Sequence, residues 1–386
     1  MRNIIYRLVK ENYKMLKDRK FIVFGIDHYN PLGVIRTLGK NDIYPIFIAI
    51  PGRAKVASSS KYISELIWVK DYEEGCKLLL EKFSREEISP VVITTDDEQV
   101  VYMDEHFDEY NGRFLFFNAG KAGRITEFID KYNILKIAEK HGMKILPSWS
   151  VERGVIPKDI EYPVITKSIS PVIGGWKSDV HICENEDELK IAYEKIESPH
   201  VLIQKFVDKK NELCIDGFSI DKGRKTYFAI ASTYNYNIRG YYSPYMTVKS
   251  FDNIQLNNAL NKMLAEIGFE GIFSIEFLLD QDETLYFSEV NFRNSTWSYG
   301  ATEAGMPIPL LWAEAMEANE LPSLNIIEEP FTAMVEPIDY AKRVKTGMID
   351  LYEWIIDFKN SKVGYYFDDD DRKPFEVCIN NWELLG

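Results

Sequence analysis

Two runs of the chain, Gly271-Ile272-Phe273-Ser274-Ile275-Glu276-Phe277-Leu278-Leu279 and Leu285-Tyr286-Phe287-Ser288-Glu289-Val290-Asn291-Phe292-Arg293, set two carboxylates, an amide and a guanidinium among apolar neighbours. Both runs are rich in β-branched and aromatic residues, and the polar Asp280-Gln281-Asp282-Glu283 lies between them, so the pair reads as a β-hairpin. A hairpin symmetric about that turn puts Glu276 opposite Phe287. Glu289 then lies one diagonal step away on the same face, with Asn291 and Arg293 following at period two. Charges amid apolar residues are rarely left unpaired. Glu276, Glu289 and Asn291 supply three hard oxygen donors beside the fixed cation of Arg293, a set that suits Mg²⁺, or alternatively Mn²⁺, carrying a polyphosphate. Salt bridging of the glutamates to lysines is the plainer alternative.

The elements that must position this face lie upstream. The continuous apolar run 21–26 reads as a strand buried on both faces, with further strands at 43–50 and 91–95 and helix-like stretches between. That alternation predicts a parallel sheet with right-handed crossovers, and such sheets bind ligands beyond the carboxyl ends of their strands. His28 and the pair Asp97-Glu98 fall there, where ordinary loop polarity explains them equally well. Farther on, Asp130 can cap a helix that ends before Gly142. Residues 163–168 read as a short strand running into a loop with Gly174 and Gly175, and 185–197 as an amphipathic helix. Residues 201–207, 212–220 and 226–232 read as strands. Residues 301–319 read as helical but broken early by Pro307 and Pro309. Residues 1–20 read as a charged helix, and the run Asp368-Asp369-Asp370-Asp371 as a solvated turn.

Bulk properties exclude several classes. The 386 residues, 46% hydrophobic and 27% charged, suffice for two or three lobes. A net charge of −14 disfavours nucleic acid and anionic membranes as partners. Four scattered cysteines with no CxxC fit free thiols in a reducing cytosol. The N-terminus lacks the shape of a signal peptide, so a cytoplasmic location is expected. No HExxH, GxSxG, GxxxxGK[ST] or GxGxxG occurs.

The order Asp130-Lys131, Pro163-Val164-Ile165-Thr166-Lys167, Ile203-Gln204-Lys205-Phe206-Val207, then Glu276…Glu289-Val290-Asn291-Phe292-Arg293 resembles the ATP-grasp superfamily, over roughly residues 20–320. Within it the chain is similar to carboxylate–amine ligases of the D-aspartate ligase and carbamoyl-phosphate-synthase-like branch. The resemblance implies an α/β and α+β architecture. A parallel-sheet, Rossmann-like pre-ATP-grasp domain (1–125) would precede a small lid lobe (126–200) and a large lobe carrying the hairpin (201–325), both with antiparallel sheets, and a C-terminal extension (326–386). It also implies ATP with Mg²⁺. Lys167 would meet the phosphates as a mobile point charge and Lys131 from a helix N-terminus. Gly174 and Gly175 would lower backbone amides onto them. Gln204, Lys205, Phe206 and Val207 would form the hinge around adenine, with Glu212 on the ribose or lid side. Glu276, Glu289 and Asn291 would hold metal, and Arg293, with Lys167, would face the transferred phosphoryl group. The loop departs from relatives in its few glycines and its bulky Trp176.

The activity expected is an ATP-dependent ligase that forms an amide from a small carboxylate and an amine through an acyl phosphate, in a chain that could pair as a homodimer. A small-molecule kinase on the same fold and a non-catalytic nucleotide-binding regulator are the competing readings. Arg239, in an aromatic and polar stretch, could hold a substrate carboxylate, and residues 294–300 are expected to line the acceptor pocket.

Overall fold

The structure, a computed structural model, describes residues 16, 18–170, 176–238 and 242–386, and of residues 176 and 177 the backbone only. The glycines at 174 and 175, Arg239 and nearly all of the first helix expected from the sequence lie outside these residues.

Four strands, β1 (Phe21–Ile26), β2 (Ile46–Ile50), β3 (Glu65–Trp68) and β4 (Val91–Thr94), form a parallel sheet in the order β3-β2-β1-β4. The central β1 is apolar throughout because helices cover both its faces, and Phe21, Ile22, Val23 and Phe24 are buried. Gly25 lets the ends of β1 and β4 approach: a Cβ there would lie 1.9 Å from Thr95 Oγ1. Asp96, just past β4, can therefore accept the N–H of Ile26 at 2.9 Å.

A second sheet, antiparallel, runs β5-β8-β6-β7, from β5 (Ser148–Glu152), β6 (Val164–Ser168), β7 (His181–Cys183) and β8 (His200–Lys205). Helix Glu186–Lys195 covers it, capped by Asn185, whose side chain accepts the Glu188 N–H at 3.0 Å. The third sheet has seven strands. The long β9 (Asn211–Ile220), β10 (Lys225–Tyr234) and β11 (Tyr245–Lys249) are flanked by β12 (Gly271–Leu279) and β13 (Leu285–Asn291) on one side and by β14 (Phe331–Met334) and β15 (Val363–Gly364) on the other. The helical stretch near residue 300 is broken as its prolines require, into Ser298–Glu303 and Ile308–Ala318.

The register of β12 and β13 differs from a symmetric hairpin. Phe277 pairs with Phe287, but Glu276 pairs with Glu289, so Ser288 is an extra residue in a β-bulge. The glutamates therefore stand directly opposite each other rather than on a diagonal.

The acidic run near the C-terminus is only partly solvated. Asp371 is buried and accepts from Arg36 Nε at 3.1 Å, from Ser60 Oγ at 2.7 Å and from the Lys61 N–H at 3.0 Å. Arg36, itself buried, also donates to the carbonyls of Tyr365, Tyr366 and Asp371. Asp368 pairs with Lys40 at 2.7 Å, and only Asp369 and Asp370 face solvent. A charge run hides this because burial is decided by a partner 335 positions away in sequence. The consequence is mechanical: the tail clamps helix Tyr29–Gly39, whose N-terminus lies at the carboxyl ends of the parallel sheet.

Candidate functional site

A cavity of about 1160 Å³ opens where the three sheets meet, larger than the roughly 300–1,000 Å³ usual for a single small ligand. Lys131, Lys167, Gln204, Lys205, Phe206, Val207, Glu212, Glu276, Glu289, Asn291 and Arg293 all line it, so every described residue singled out from sequence for nucleotide, metal or phosphoryl contact converges on one space.

The bulge in β13 turns Glu276 and Glu289 onto the same side. Asn291 Nδ2 donates to Glu276 Oε1 at 2.9 Å, and the Asn291 Oδ1 accepts from Arg293 Nη2 at 3.0 Å. Arg293 Nε donates to Asp97 Oδ1 at 2.8 Å, which ties the end of the hairpin to the first turn of helix Asp97–Glu105, directly after β4. Lys131 donates to Glu289. It is placed by Asp130, whose side chain accepts the N–H groups of Tyr132 (2.8 Å) and Asn133 (3.0 Å) and so caps helix Lys131–Lys140.

This crowding of charge shifts the acids apart. Burial, reinforced by Glu289 and Glu212, pushes the Glu276 carboxyl up to about 8. Lys131 holds Glu289 down at about 2 against the opposing effect of burial. Burial and the neighbouring Lys131 lower the Lys167 ammonium. Burial also works against the charge on Lys131, but Glu289 outweighs it and the ammonium is raised.

On the opposite wall, Lys167 Nζ donates to Gln204 Oε1 at 3.1 Å, and Gln204 Nε2 donates to Ser148 Oγ at 2.9 Å. The backbone of β8 ends in an unequal pair: Lys205 N–H donates to the Pro147 carbonyl at 2.8 Å, but Pro147 has no N–H to return. The Lys205 carbonyl is thereby left without a ladder donor, next to Phe206 and Val207 on the cavity wall. Glu212 accepts from Tyr234 OH at 2.6 Å and pairs with Lys209.

Trp297, Ser295 and Thr296, from the segment 294–300 expected at the acceptor pocket, line the cavity, as do Tyr234 and Tyr242 from the aromatic stretch around Arg239. Sequence reasoning passed over Tyr29, also on the wall, and Asp96, which faces His28 (Nε2 to Oδ1 3.6 Å). Asp97 emerges as the partner of Arg293. The available signal was position: Asp96 and Asp97 follow β4, at the end of a parallel sheet where ligands bind. The post-hairpin loop is fixed to that sheet edge by a reciprocal amide pair. Asn30 Nδ2 donates to the Asn294 carbonyl at 3.0 Å, and Asn294 Nδ2 donates to Asn30 Oδ1 at 2.7 Å. Behind the loop, buried Asp216, pushed up to about 6 by burial, accepts from Ser295 and Ser298.

The donor set fits a hard divalent ion: two opposed carboxylates and a carboxamide, with Glu276 bonded only to an amide N–H among the described residues. The described residues contain no group of three or more His, Cys, Asp or Glu that could hold a metal ion by themselves. No helix among them is long and apolar enough to cross a membrane.

No protein-family model matches the chain. Over 254 residues it is 22% identical to the N5-carboxyaminoimidazole ribonucleotide synthase of Staphylococcus haemolyticus, covering 60% of this chain and 64% of that protein. The chain thus spans less than two thirds of the length of the curated relatives it matches. Among solved structures, the L-amino acid ligase of Bacillus licheniformis superposes with a TM-score of 0.63 at 14% identity, over 83% of this chain and 80% of the ligase. The biotin carboxylase domain dimer of the 2-oxoglutarate carboxylase of Hydrogenobacter thermophilus, in complex with MgADP, ADP and bicarbonate, superposes with a TM-score of 0.61 at 19% identity, over 82% of this chain and 74% of that domain. With its parallel sheet, its antiparallel sheet and its mixed seven-stranded sheet, the chain shares the fold of the L-amino acid ligase and of the biotin carboxylase domain.

Proposed function

We propose that this protein is an ATP-dependent carboxylate–amine ligase. The observation that carries the reading is the placement of Glu276 directly opposite Glu289 on a cavity that also receives Lys131, Lys167 and Arg293. The nucleotide lies between the second and third sheets. The Lys205 carbonyl and the Val207 backbone face the adenine edge, Phe206 packs against it, and Glu212 meets the ribose. The MgADP complex of the carboxylase neighbour supports the choice of nucleotide and metal.

Glu276, Glu289 and Asn291 would hold Mg²⁺, which supplies charge neutralisation across the terminal phosphates when bound. Lys131 then exchanges Glu289 for phosphate oxygens, and Lys167 exchanges Gln204. Arg293, fixed by Asp97 and Asn291, keeps a guanidinium where negative charge grows as the substrate carboxylate attacks the γ-phosphorus. The product is an acyl phosphate. An amine attacks its carbonyl, the amide forms and phosphate leaves. The protein supplies positioning and charge, and no side-chain nucleophile is needed.

The test is a screen of amino acids and sugar acids as carboxylates, with ADP release as readout and hydroxylamine as trapping nucleophile. A hydroxamate together with ADP marks an acyl phosphate. ADP with a stable phosphate ester marks a kinase instead. ATP binding without turnover across the panel contradicts both.

A further inference from the structure

The cavity has one half-buried lining carboxylate with no side-chain hydrogen bond or salt bridge among the described residues: Glu98. The others are committed. Asp96 pairs with His28, Asp97 with Arg293, Glu212 with Lys209 and Tyr234, Glu289 with Lys131, and Glu276 accepts from Asn291, while Asp208 is exposed. Glu98 sits in the first turn of helix Asp97–Glu105. That turn is tied to the hairpin through Asp97 and Arg293, and Glu98 stands on the cavity wall within electrostatic reach of the Arg293 guanidinium.

We infer that Glu98 is the general base that takes the proton from the incoming ammonium, and that the amine approaches along the edge of the parallel sheet. The inference rests on the ligase reading above. An amine arrives protonated, and an ammonium ion has no lone pair with which to attack. One N–H proton passes to the Glu98 carboxylate. The freed pair forms the C–N bond, the C–O bond to phosphate breaks with its electrons on the phosphate, and the remaining surplus N–H proton leaves with that phosphate. Glu98 then returns its proton to solvent.

The cavity wall suits a cation. Tyr29, Tyr242 and Trp297 add aromatic faces to the cavity, and rings of this kind attract ammonium groups. The groups that bear on Glu98 are the carboxylates of Asp96 and Asp97 and the guanidinium of Arg293, with His28 and Lys131 bearing on those carboxylates in turn. Burial, with Asp96 and Asp97, raises the Glu98 carboxyl above its ordinary value, toward the range useful to a base.

The experiment compares two nucleophiles on the wild-type carboxylate substrate: the amine found by ADP release, and hydroxylamine, which is mostly unprotonated at neutral pH. Glu98→Gln should lower the rate with the amine by about 10²-fold, while hydroxamate formation stays within about twofold. The residual amine rate should climb with pH toward the amine's own pKa, and Glu98→Asp should restore most of the neutral-pH rate. Parallel loss with both nucleophiles, or no loss with either, overturns the assignment. Failure of the wild-type protein to form any hydroxamate would instead refute the ligase reading itself.

Discussion

Glu276 and Glu289 face each other across β12 and β13 because Ser288 is squeezed out of the ladder. A one-residue bulge places the side chains on opposed positions, where two carboxylates repel unless a cation lies between or beside them. Lys131 is that cation for Glu289, while burial and Glu289 push the Glu276 carboxyl up.

Replacing Glu289 with Gln removes both a metal ligand and the partner of Lys131. ATP turnover should fall by about 10²-fold or more. Steady-state ADP release in excess Mg²⁺ checks it, and unchanged turnover would refute the assignment of the hairpin.

The pH dependence of stability follows from the two shifted acids. The Glu276 carboxyl is raised when folded, so its contribution is complete below the ordinary 4.5 and is lost as pH rises through about 8. The Glu289 carboxyl is lowered, so its contribution is complete above 4.5 and is lost as pH falls toward about 2. Urea midpoints of the ligand-free protein should therefore decline on both sides. Glu276→Gln should shrink the alkaline decline to the part that Asp216 and Glu336, also pushed up by burial, contribute, and should leave the acid one.

The tail clamp is a stability element. Asp371→Ala leaves the Arg36 guanidinium buried without its carboxylate, at a cost of about 3–5 kcal/mol. Chemical denaturation measures this directly, and a change smaller than about 1 kcal/mol would mean that Arg36 finds other partners.

The chain's charge pattern made part of this legible. Glu276 and Glu289 stand out because each interrupts an apolar strand, and Lys131 because it follows a capping Asp130. Buried β1 announces itself by a continuous apolar run, and β10 by the apolar run 227–231. The bulge at Ser288 did not, since nothing local distinguishes an extra residue from a paired one. Asp371 was misread because a run of four aspartates looks solvated until Arg36 is brought to it by the fold. Edge strand β3 carries exposed residues on both faces and shows no clean alternation. Glu98 and Asp97 had only their position after β4 to recommend them, and their separate fates were decided by which one Arg293 reached.

The helix cap tests how local structure reaches the site. Asp130→Ala removes the acceptor for two N–H groups and should cost about 1 kcal/mol of stability. Because Lys131 is the first residue of that helix, ATP affinity measured by calorimetry should fall further than the stability loss alone explains. Equal affinity in the variant would show that Lys131 is positioned by Glu289 alone.

The most direct measurement is a crystal structure of the protein grown with Mn²⁺ and a non-hydrolysable ATP analogue, using the anomalous signal of manganese. The prediction is one peak bounded by the carboxylates of Glu276 and Glu289 and by the terminal phosphates, with Lys131 moved from Glu289 to a phosphate oxygen. A nucleotide bound elsewhere, or no metal between the glutamates while Lys131 stays on Glu289, would contradict it.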